Sequence, residues 1–316
     1  MYDYVIVGSG AAGSVIAARL SEDPDVSVLV LEAGPMDSSP LIETPLMFGQ
    51  LFKSRYDWDL CTEPEPGLDG RSIYLAQGRV VGGSTSVNAM VYMRGSPADY
   101  DEWAADGATG WAYPDVLPYF RRAEDNERGA SRFHGAGGPL RVSENRSRHP
   151  LAAAFLDAAW QAGIPKNADV NGAEQEGVHW HQVTQRDGRR CSAAAAYLHP
   201  ALRHRRNLTL LANSPALRLL WPPGPARGRV TGVEYLRDGR VARASAAREV
   251  IVCAGTYQSA VLLMVSGIGP ADQLRSLGIE AGQDLPVGEN LQDHIMTCLV
   301  YHTDEISLLG AFSPEN

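Results

Sequence analysis

The stretch Tyr4-Val5-Ile6-Val7-Gly8-Ser9-Gly10-Ala11-Ala12-Gly13 decides the fold of this chain. Its first four residues form a short β-branched run, which indicates a buried parallel strand. The small and apolar residues from Ala11 to Leu20 have helical spacing, and a second apolar run follows from Val26 to Leu31. A strand, a glycine turn, a helix and a second strand in this order define a βαβ unit with a right-handed crossover. The sequence therefore predicts an α/β fold.

The turn of this unit, from Gly8 to Gly13, matches the pattern G-x-G-x-x-G. Gly8 permits a tight turn, Gly10 lets the backbone approach a pyrophosphate, and Gly13 lets the helix pack closely on the strand. The free N–H groups and the dipole at the helix N-terminus favour a negatively charged group there. Because the pattern follows a strand and opens a helix, it indicates a dinucleotide site.

Glu32 closes the second strand, 19 residues after Gly13. A carboxylate at this place can accept hydrogen bonds from both hydroxyls of an adenosine ribose. It argues against NADP, whose extra phosphate an acid would repel, but it does not separate NAD from FAD. We expect Glu32 and the adjacent Ala33 to contact the adenosine half of the cofactor.

A second glycine-rich segment runs from Gly78 to Met90 and carries Arg79 as its one charged residue. It is too long and too uncharged for an ordinary surface loop. Its composition is suited to a backbone that lies flat against a large planar ligand and offers N–H donors and the Asn88 amide to it.

Composition and charge exclude several classes of partner. A chain of 316 residues predicts about two domains, at roughly 100–200 residues per domain. It holds 28 Lys and Arg against 37 Asp and Glu, a formal net charge of −9. Nucleic acids and anionic membranes need a basic surface. We therefore expect neither as a partner.

Cysteine and histidine spacing gives no indication of a metal site. No CxxC pair occurs among Cys61, Cys191, Cys253 and Cys298, so neither a disulfide framework nor a zinc site is expected. His179 and His181 alternate as on one face of a strand and are interpreted as a polar sheet face. No run reaches the roughly 18 apolar residues of a membrane span, and Met1-Tyr2-Asp3 has no basic signal-peptide region. We expect a cytoplasmic location.

The middle of the chain predicts an antiparallel meander. Strands are expected at Ala216–Trp221, Val230–Tyr235 and Val241–Ala246, with a turn at Asp238-Gly239 between the last two. Glu249–Ala254 is expected as a separate buried strand that leads into Gly255 and a helix.

Several of these segments together resemble the glucose–methanol–choline (GMC) family of flavin oxidoreductases. Gly78–Trp103 is similar to the first signature of that family, and Gly255–Pro270 is similar to the second. Leu285–His294 and Tyr56-Asp57-Trp58 are also GMC-like. The resemblance runs in the same order from Tyr2 to about His294.

The resemblance implies a Rossmann-like FAD-binding domain with a parallel sheet and an inserted β-meander, plus parts of a second α+β substrate domain. Residues 1–296 would form the FAD-binding portion, with substrate-domain segments inserted at about 150–200. Residues 297–316 would begin the substrate domain.

The resemblance also implies that FAD is bound non-covalently, because members with covalent FAD carry His where this chain has Val87. Ala216 occupies the place at which the family binds adenine through its main chain. Trp58 stands where members place an aromatic residue near the flavin, although a core Trp is an equal alternative. The residues expected to contact FAD are Gly8, Ser9, Gly10, Ala11, Ala12, Gly13, Glu32, Ala33, Trp58, Arg79, Val81, Gly82, Gly83, Ser86, Asn88, Ala89, Met90, Val91, Ala216 and Gly255.

By the same resemblance the reaction is oxidation of an alcohol by hydride transfer to flavin N5. The family uses a His as base, with a second His or Asn beside it, near the C-terminus of a longer chain. This sequence ends at Asn316, so that pair is expected outside it. Asn88 and His294 are the candidate neighbours of the active site within the chain.

Two other readings stay open. The chain could be a non-catalytic FAD-binding fragment that a second chain completes, or a flavin-containing hydroxynitrile lyase, since such lyases share the scaffold. The expected partners are a small-molecule alcohol and, in the fragment reading, that second chain. The sequence does not identify the alcohol or the electron acceptor.

Overall fold

A mixed six-stranded sheet forms the centre of the computed structural model, which describes residues 1–222, 228–294 and 302. Its strand order is β10-β2-β1-β13-β12-β11. The strands of the chain are β1 (Tyr2–Val7), β2 (Val28–Leu31), β3 (Leu60–Cys61), β4 (Tyr74–Leu75), β5 (Glu124–Asn126), β6 (Leu140–Glu144), β7 (Gln182–Val183), β8 (Gln185–Arg186), β9 (Arg189–Arg190), β10 (Leu208–Leu211), β11 (Ala216–Leu220), β12 (Gly232–Arg237), β13 (Arg240–Val252), β14 (Ile268–Gly269) and β15 (Gln283–Asp284).

Helices cover the sheet and carry the inserted segments. They are α1 (Ala11–Leu20), α2 (Pro40–Glu43), α3 (Pro97–Ala105), α4 (Tyr113–Ala123), α5 (Pro150–Gln161), α6 (His199–His204), α7 (Thr256–Val265) and α8 (Ala271–Ser276). Short 3₁₀ helices occur at Pro45–Gln50, Pro66–Leu68 and Gly83–Ser86, and a π-helical turn at Ala194–Leu198 leads into α6. No helix among the described residues is long and apolar enough to cross a membrane.

The parallel half of the sheet contains the predicted βαβ unit. Strand β1 pairs in parallel with β2 on one side and with β13 on the other, and β10 adds to the far side of β2. Every residue of β2 is buried, as a strand covered on both faces requires. Helix α1 buries its small residues Gly13, Ala17 and Ala18, so it packs closely on the sheet.

Strand β13 joins the parallel half to the meander. Its first half pairs antiparallel with β12, and its second half pairs in parallel with β1. The predicted strands Val241–Ala246 and Glu249–Ala254 are therefore parts of one strand, and the separate boundary between them was wrong. The register shifts between Tyr2 and Tyr4 of β1, which pair with Ala246 and Glu249 of β13. One residue of β1 therefore lies opposite two residues of β13 at this point.

A buried polar cluster anchors the segments inserted beside the sheet. The guanidinium of Arg94 donates to the Glu124 carboxylate at 2.9 Å, and both side chains are almost fully buried. The ring of His134 lies between Glu124, at 3.0 Å from Nδ1, and Asp169, at 3.0 Å from Nε2. These contacts connect the chain after the glycine-rich segment with β5 and with the region that follows α5. Apart from His302, the predicted start of a substrate domain at residues 297–316 lies outside the described residues.

Candidate functional site

A cavity of about 760 Å³ opens at the carboxyl ends of β1, β2 and β13. Its wall includes Gly10 at the N-terminus of α1, Glu32 at the end of β2 and Gly255 after β13. In open α/β sheets this edge is the place at which ligands bind, beside the point where the strand order reverses. The other walls come from the second glycine-rich segment and from the start of β11.

Each of the three glycines of the first turn is required for a different structural reason. Gly8 has a φ of +97°, and a Cβ there would overlap the backbone of Cys253. A Cβ on Gly13 would overlap the carbonyl oxygen of Gly8. A Cβ on Gly10 would meet nothing nearer than the Cα of Gly83 at 3.8 Å, and the φ of Gly10 is −70°. Protein packing explains Gly8 and Gly13, whereas Gly10 leaves open space beside the cavity that a ligand can use.

The N-terminus of α1 offers unpaired N–H groups to this space. No side chain caps the helix, and its first turn holds no acidic residue. Ala11 and Ala12 line the cavity. The helix dipole and these donors form an anion site suited to a pyrophosphate.

Glu32 is buried at the edge of the cavity, and two neighbours hold its carboxylate. Oε2 accepts from the backbone N–H of Ser9 at 3.0 Å and from its hydroxyl at 2.7 Å, and Oε1 accepts from the N–H of Gly34 at 2.8 Å. Burial raises the pKa of Glu32 above its ordinary 4.5, and the hydrogen bonds from Ser9 and Gly34 oppose the rise. The N–H of Ala33 also acts on this carboxylate, and Glu32 borders the cavity, so a ligand hydroxyl would share its oxygens with these donors.

The two glycine-rich loops contact each other through their backbones. The N–H of Gly82 donates to the carbonyl of Ser9 at 3.0 Å. Gly83 has a φ of +56°, and a Cβ there would lie 2.7 Å from the Cα of Gly10. The cavity wall continues through Gly83, Ser84 and Thr85. The absence of side chains thus brings two loops that lie about 70 residues apart in sequence into one wall.

The predicted cofactor contacts fall into two groups. Those that line the cavity are Gly8, Gly10, Ala11, Ala12, Glu32, Ala33, Trp58, Gly83, Ala216 and Gly255. Those that do not line the cavity are Ser9, Gly13, Arg79, Val81, Gly82, Ser86, Asn88, Ala89, Met90 and Val91. Ser9, Val81 and Ser86 are fully buried, whereas Val91 is exposed.

Val87, at the position where the GMC resemblance implies a flavin-linking His in proteins with covalent FAD, packs into a small apolar cluster with Ile42, Leu51 and Val80. Its side chain holds no nucleophilic atom, so it offers no covalent link to a flavin.

Asp57 is a positioning residue that the sequence analysis did not single out. Its buried carboxylate accepts from the N–H groups of Lys53 and Gln77 and from the hydroxyl of Tyr74. Although burial opposes it, this set of hydrogen bonds holds the pKa of Asp57 below its ordinary value. Asp57 thereby fixes the strand pair that presents Gln77 and Trp58 to the cavity. The motif Tyr56-Asp57-Trp58 was the signal that could have identified it.

Trp58 stacks under a second predicted residue. The Arg79 guanidinium lies 5.2 Å from the centroid of the Trp58 ring. The ring is half-buried and lines the cavity, so Trp58 is a wall residue and not part of the core.

The edge of the sheet supplies the remaining predicted wall. Ala216 begins β11, the outermost strand, so among residues 1–222, 228–294 and 302 no strand pairs with its outer backbone edge. Pro215, Ala216 and Leu217 line the cavity. The start of α7 adds polar residues that the sequence analysis did not list as contacts, namely Thr256, Gln258 and Ser259.

Histidine does not occur in the cavity lining of the described residues. His294 is exposed, and its backbone N–H donates to Asp293. His179 and His181 contact each other edge to face, with ring centroids 4.7 Å apart, away from this wall. Within the described ranges no group of three or more His, Cys, Asp or Glu side chains is placed to hold a metal ion.

The fold and the cavity together define a dinucleotide-binding α/β protein, and comparison with known proteins gives its family. A family profile described as GMC oxidoreductase matches residues 2–296. The mitochondrial choline dehydrogenase of Homo sapiens is 50% identical over 303 residues, which cover 93% of this chain and 50% of that protein. An uncharacterized GMC-type oxidoreductase of Mycobacterium tuberculosis is 46% identical over 318 residues, which cover 99% of this chain and 59% of that protein. The chain belongs to the GMC oxidoreductase family.

Solved structures confirm the fold. Pyridoxine 4-oxidase from Mesorbium loti superimposes with a TM-score of 0.85 at 41% identity, covering 90% of this chain and 56% of that one. An FAD-dependent oxidoreductase from Chaetomium thermophilum gives 0.83 at 30% identity, covering 90% and 51%. The predicted family, the Rossmann-like fold and the FAD cofactor are all confirmed.

The chain spans about half the length of the curated relatives it matches. The residues that would hold FAD are those described above. The space at Gly10 and the helix N-terminus fit the pyrophosphate, and the Glu32 carboxylate at the edge of the cavity fits a ribose hydroxyl.

Proposed function

We propose that the protein containing this chain oxidises a small-molecule alcohol to the corresponding aldehyde or ketone. FAD, when bound, accepts a hydride at N5 of its flavin ring, which is the chemistry that this reaction needs. The observation that carries the proposal is the cavity at the carboxyl ends of β1, β2 and β13 in a chain of the GMC oxidoreductase family.

The described residues serve binding and orientation. Glu32 is the one carboxylate in the cavity lining of the described residues, and Ser9 and Gly34 already hold it. A general base must lie within hydrogen-bond reach of the proton that it removes. We therefore propose that the base acting on the alcohol hydroxyl comes from a part of the protein beyond the described residues, as the family resemblance implies.

The decisive experiment is anaerobic reduction of the FAD-loaded protein. Choline and pyridoxine, after which two of the relatives are named, belong in the panel together with simple primary alcohols. Loss of the visible flavin absorbance with at least one alcohol is the expected result. Dithionite serves as the control, because it reduces bound flavin without a substrate site.

Two outcomes would contradict the proposal. Flavin that dithionite bleaches but every alcohol leaves oxidised, until a second polypeptide is added, would indicate the non-catalytic fragment. Cleavage of a cyanohydrin by the protein with no change in flavin absorbance would indicate the hydroxynitrile lyase.

A further inference from the structure

Arg190 is a buried arginine that the function above does not yet use. It ends the short strand β9 and is 6% exposed. Its Nη1 donates to the carbonyl of Asn88 at 2.7 Å, to Oδ1 of Asn88 at 2.9 Å and to the carbonyl of Thr85 at 3.2 Å. Its Nε donates to the carbonyl of Ile42 at 2.9 Å. The guanidinium therefore holds the second glycine-rich segment by hydrogen bonds to its backbone. Arg190 itself does not line the cavity, whereas Thr85, to which it donates, does.

The charge of Arg190 has no carboxylate partner among the described residues. Glu43, on the adjacent helix α2, pairs instead with the exposed Arg189 at 3.0 Å. Burial alone lowers the pKa of Arg190 to about 10. Its Nη2 is buried and has no hydrogen-bond partner in the described part of the chain. A buried cation without a counter-charge is costly, so its presence beside a binding cavity points to a ligand that gains from it.

Asn88, which adjoins the cavity wall without lining it, shows what the hydrogen bonds of Arg190 achieve. Its Oδ1 accepts from Arg190 and from the N–H of Met90 at 3.1 Å. Two donors on one oxygen settle the orientation of the amide. Its Nδ2 has no acceptor among the described residues and belongs to an exposed side chain, so it is available to donate to a ligand.

We infer that Arg190 is a positioning residue for the bound flavin, which presents the Asn88 amide as a donor and places a positive charge behind the cavity wall. Reduction of FAD by two electrons and one proton adds one negative charge to the flavin ring. A fixed cation behind the wall stabilises that charge, because the low-dielectric surroundings screen it weakly. Arg190 therefore makes the bound FAD easier to reduce. The inference rests on FAD binding in this cavity and does not depend on which alcohol is the substrate.

The test compares the midpoint potential of bound FAD in two variants that each lose one positive charge. Arg190→Met should shift the potential to a more negative value. Arg189→Met is the matched control, since it removes the neighbouring charge at an exposed position, and it should leave the potential unchanged. Equilibration with a reference dye during anaerobic reduction measures both, at constant pH and salt. Equal potentials in Arg190→Met and the wild type would overturn the inference.

Two further variants keep the test decisive if Arg190→Met does not hold FAD. Arg190→Lys keeps the charge but cannot bridge three carbonyls, and Asn88→Ala removes the presented amide at an exposed position. Each should raise the dissociation constant of FAD by about 2- to 12-fold, the loss expected for one hydrogen bond from a neutral amide. In the Asn88→Ala background, Arg190→Lys should add little to that loss. Unchanged FAD affinity in both single variants would overturn the inference.

The controls separate this inference from the proposed function. Wild-type protein that fails to retain FAD would contradict both. Wild-type protein that retains FAD but resists every alcohol would contradict the proposed function alone, because the dye measurement needs no substrate.

Discussion

Glu32→Gln should weaken FAD binding by about 10- to 150-fold. The carboxylate borders the cavity and accepts from Ser9 twice and from Gly34 once, and a ribose hydroxyl in the cavity would add one more donor. A hydrogen bond to an ionised acceptor contributes about 1.5–3 kcal/mol, and each 1.4 kcal/mol is tenfold in affinity. The magnitude corresponds to one ribose hydroxyl bound by the charged form of Glu32.

The same substitution should change how FAD binding depends on pH. Burial raises the pKa of Glu32 above 4.5 in the FAD-free protein. The ribose hydroxyl donates to the ionised carboxylate, so FAD affinity should fall as the pH drops through that raised pKa. The FAD-free protein should show the opposite trend. It binds a proton more readily than the unfolded chain, so its stability decreases as the pH rises from 4.5 through the raised value. Gln at this position abolishes both dependences.

Equilibrium ultrafiltration with measurement of free FAD provides the assay. Glu280→Gln is the matched control, because it removes the same charge at an exposed position. Denaturant unfolding of each FAD-free variant reports whether the fold is kept. If Glu32→Gln binds FAD as tightly as Glu280→Gln at neutral pH, the carboxylate does not recognise the ribose and the reasoning fails.

Three further predictions concern the cavity and the buried polar cluster around Glu124 and His134. Gly10→Ala should keep the free energy of unfolding but lose FAD affinity, whereas Gly13→Ala should lose the fold, because only the Cβ at position 13 would overlap the backbone. FAD binding by Gly10→Ala that equals that of the wild type would refute this. Because Val87 replaces the linking His, acid precipitation should release all the FAD, and flavin left in the pellet would show a covalent bond. The hydrogen bond to Glu124 raises the pKa of His134, against its burial. Its stabilisation should be complete below pH 6.5 and decline as the pH rises through the raised pKa, a trend that His134→Gln should remove from pH-dependent unfolding curves.

The fold was predictable where the pattern is local. Strand β1, helix α1 and strand β2 follow one another with clear apolar periodicity and a glycine turn. Helix α1 has the predicted bounds, and both strands end where predicted, although β1 begins earlier, at Tyr2, and β2 later, at Val28. The prediction divided strand β13 in two and left Ala247 and Arg248 between the two parts. In the structure a register shift accommodates them, and Arg248 pairs with Asp3 at 3.1 Å. Pairing with two different neighbours is a tertiary property that no window of sequence contains.

In the cavity, too, the features that depend on local sequence were predictable, and those that depend on tertiary contacts were not. Glycine positions and the acid after β2 mark a dinucleotide site because the constraint on each is local. Arg190 and Asn88 are separated by 102 positions, and Asp57 and Gln77 by 20. Contacts at such separations depend on how the segments fold back on one another, and the residue types alone do not encode them. Arg190 therefore gave no signal in the sequence, although it holds the segment that was interpreted as the flavin loop.

Ser9 explains why the two glycine loops act as one structure. It is a variable position of the G-x-G-x-x-G pattern, yet it is fully buried, and its N–H, its hydroxyl and its carbonyl all make hydrogen bonds. Its N–H and hydroxyl hold Glu32, its carbonyl accepts from Gly82 of the second loop, and the Ser14 hydroxyl donates to the same carbonyl at 2.6 Å. The ribose end of the cavity and the wall at Gly83 are thus connected through a single residue. A change at either loop must move or break a backbone contact of the other. Ser9 therefore holds Glu32 at the edge of the cavity and the loop that contains Gly83 against one another, although it does not line the cavity itself.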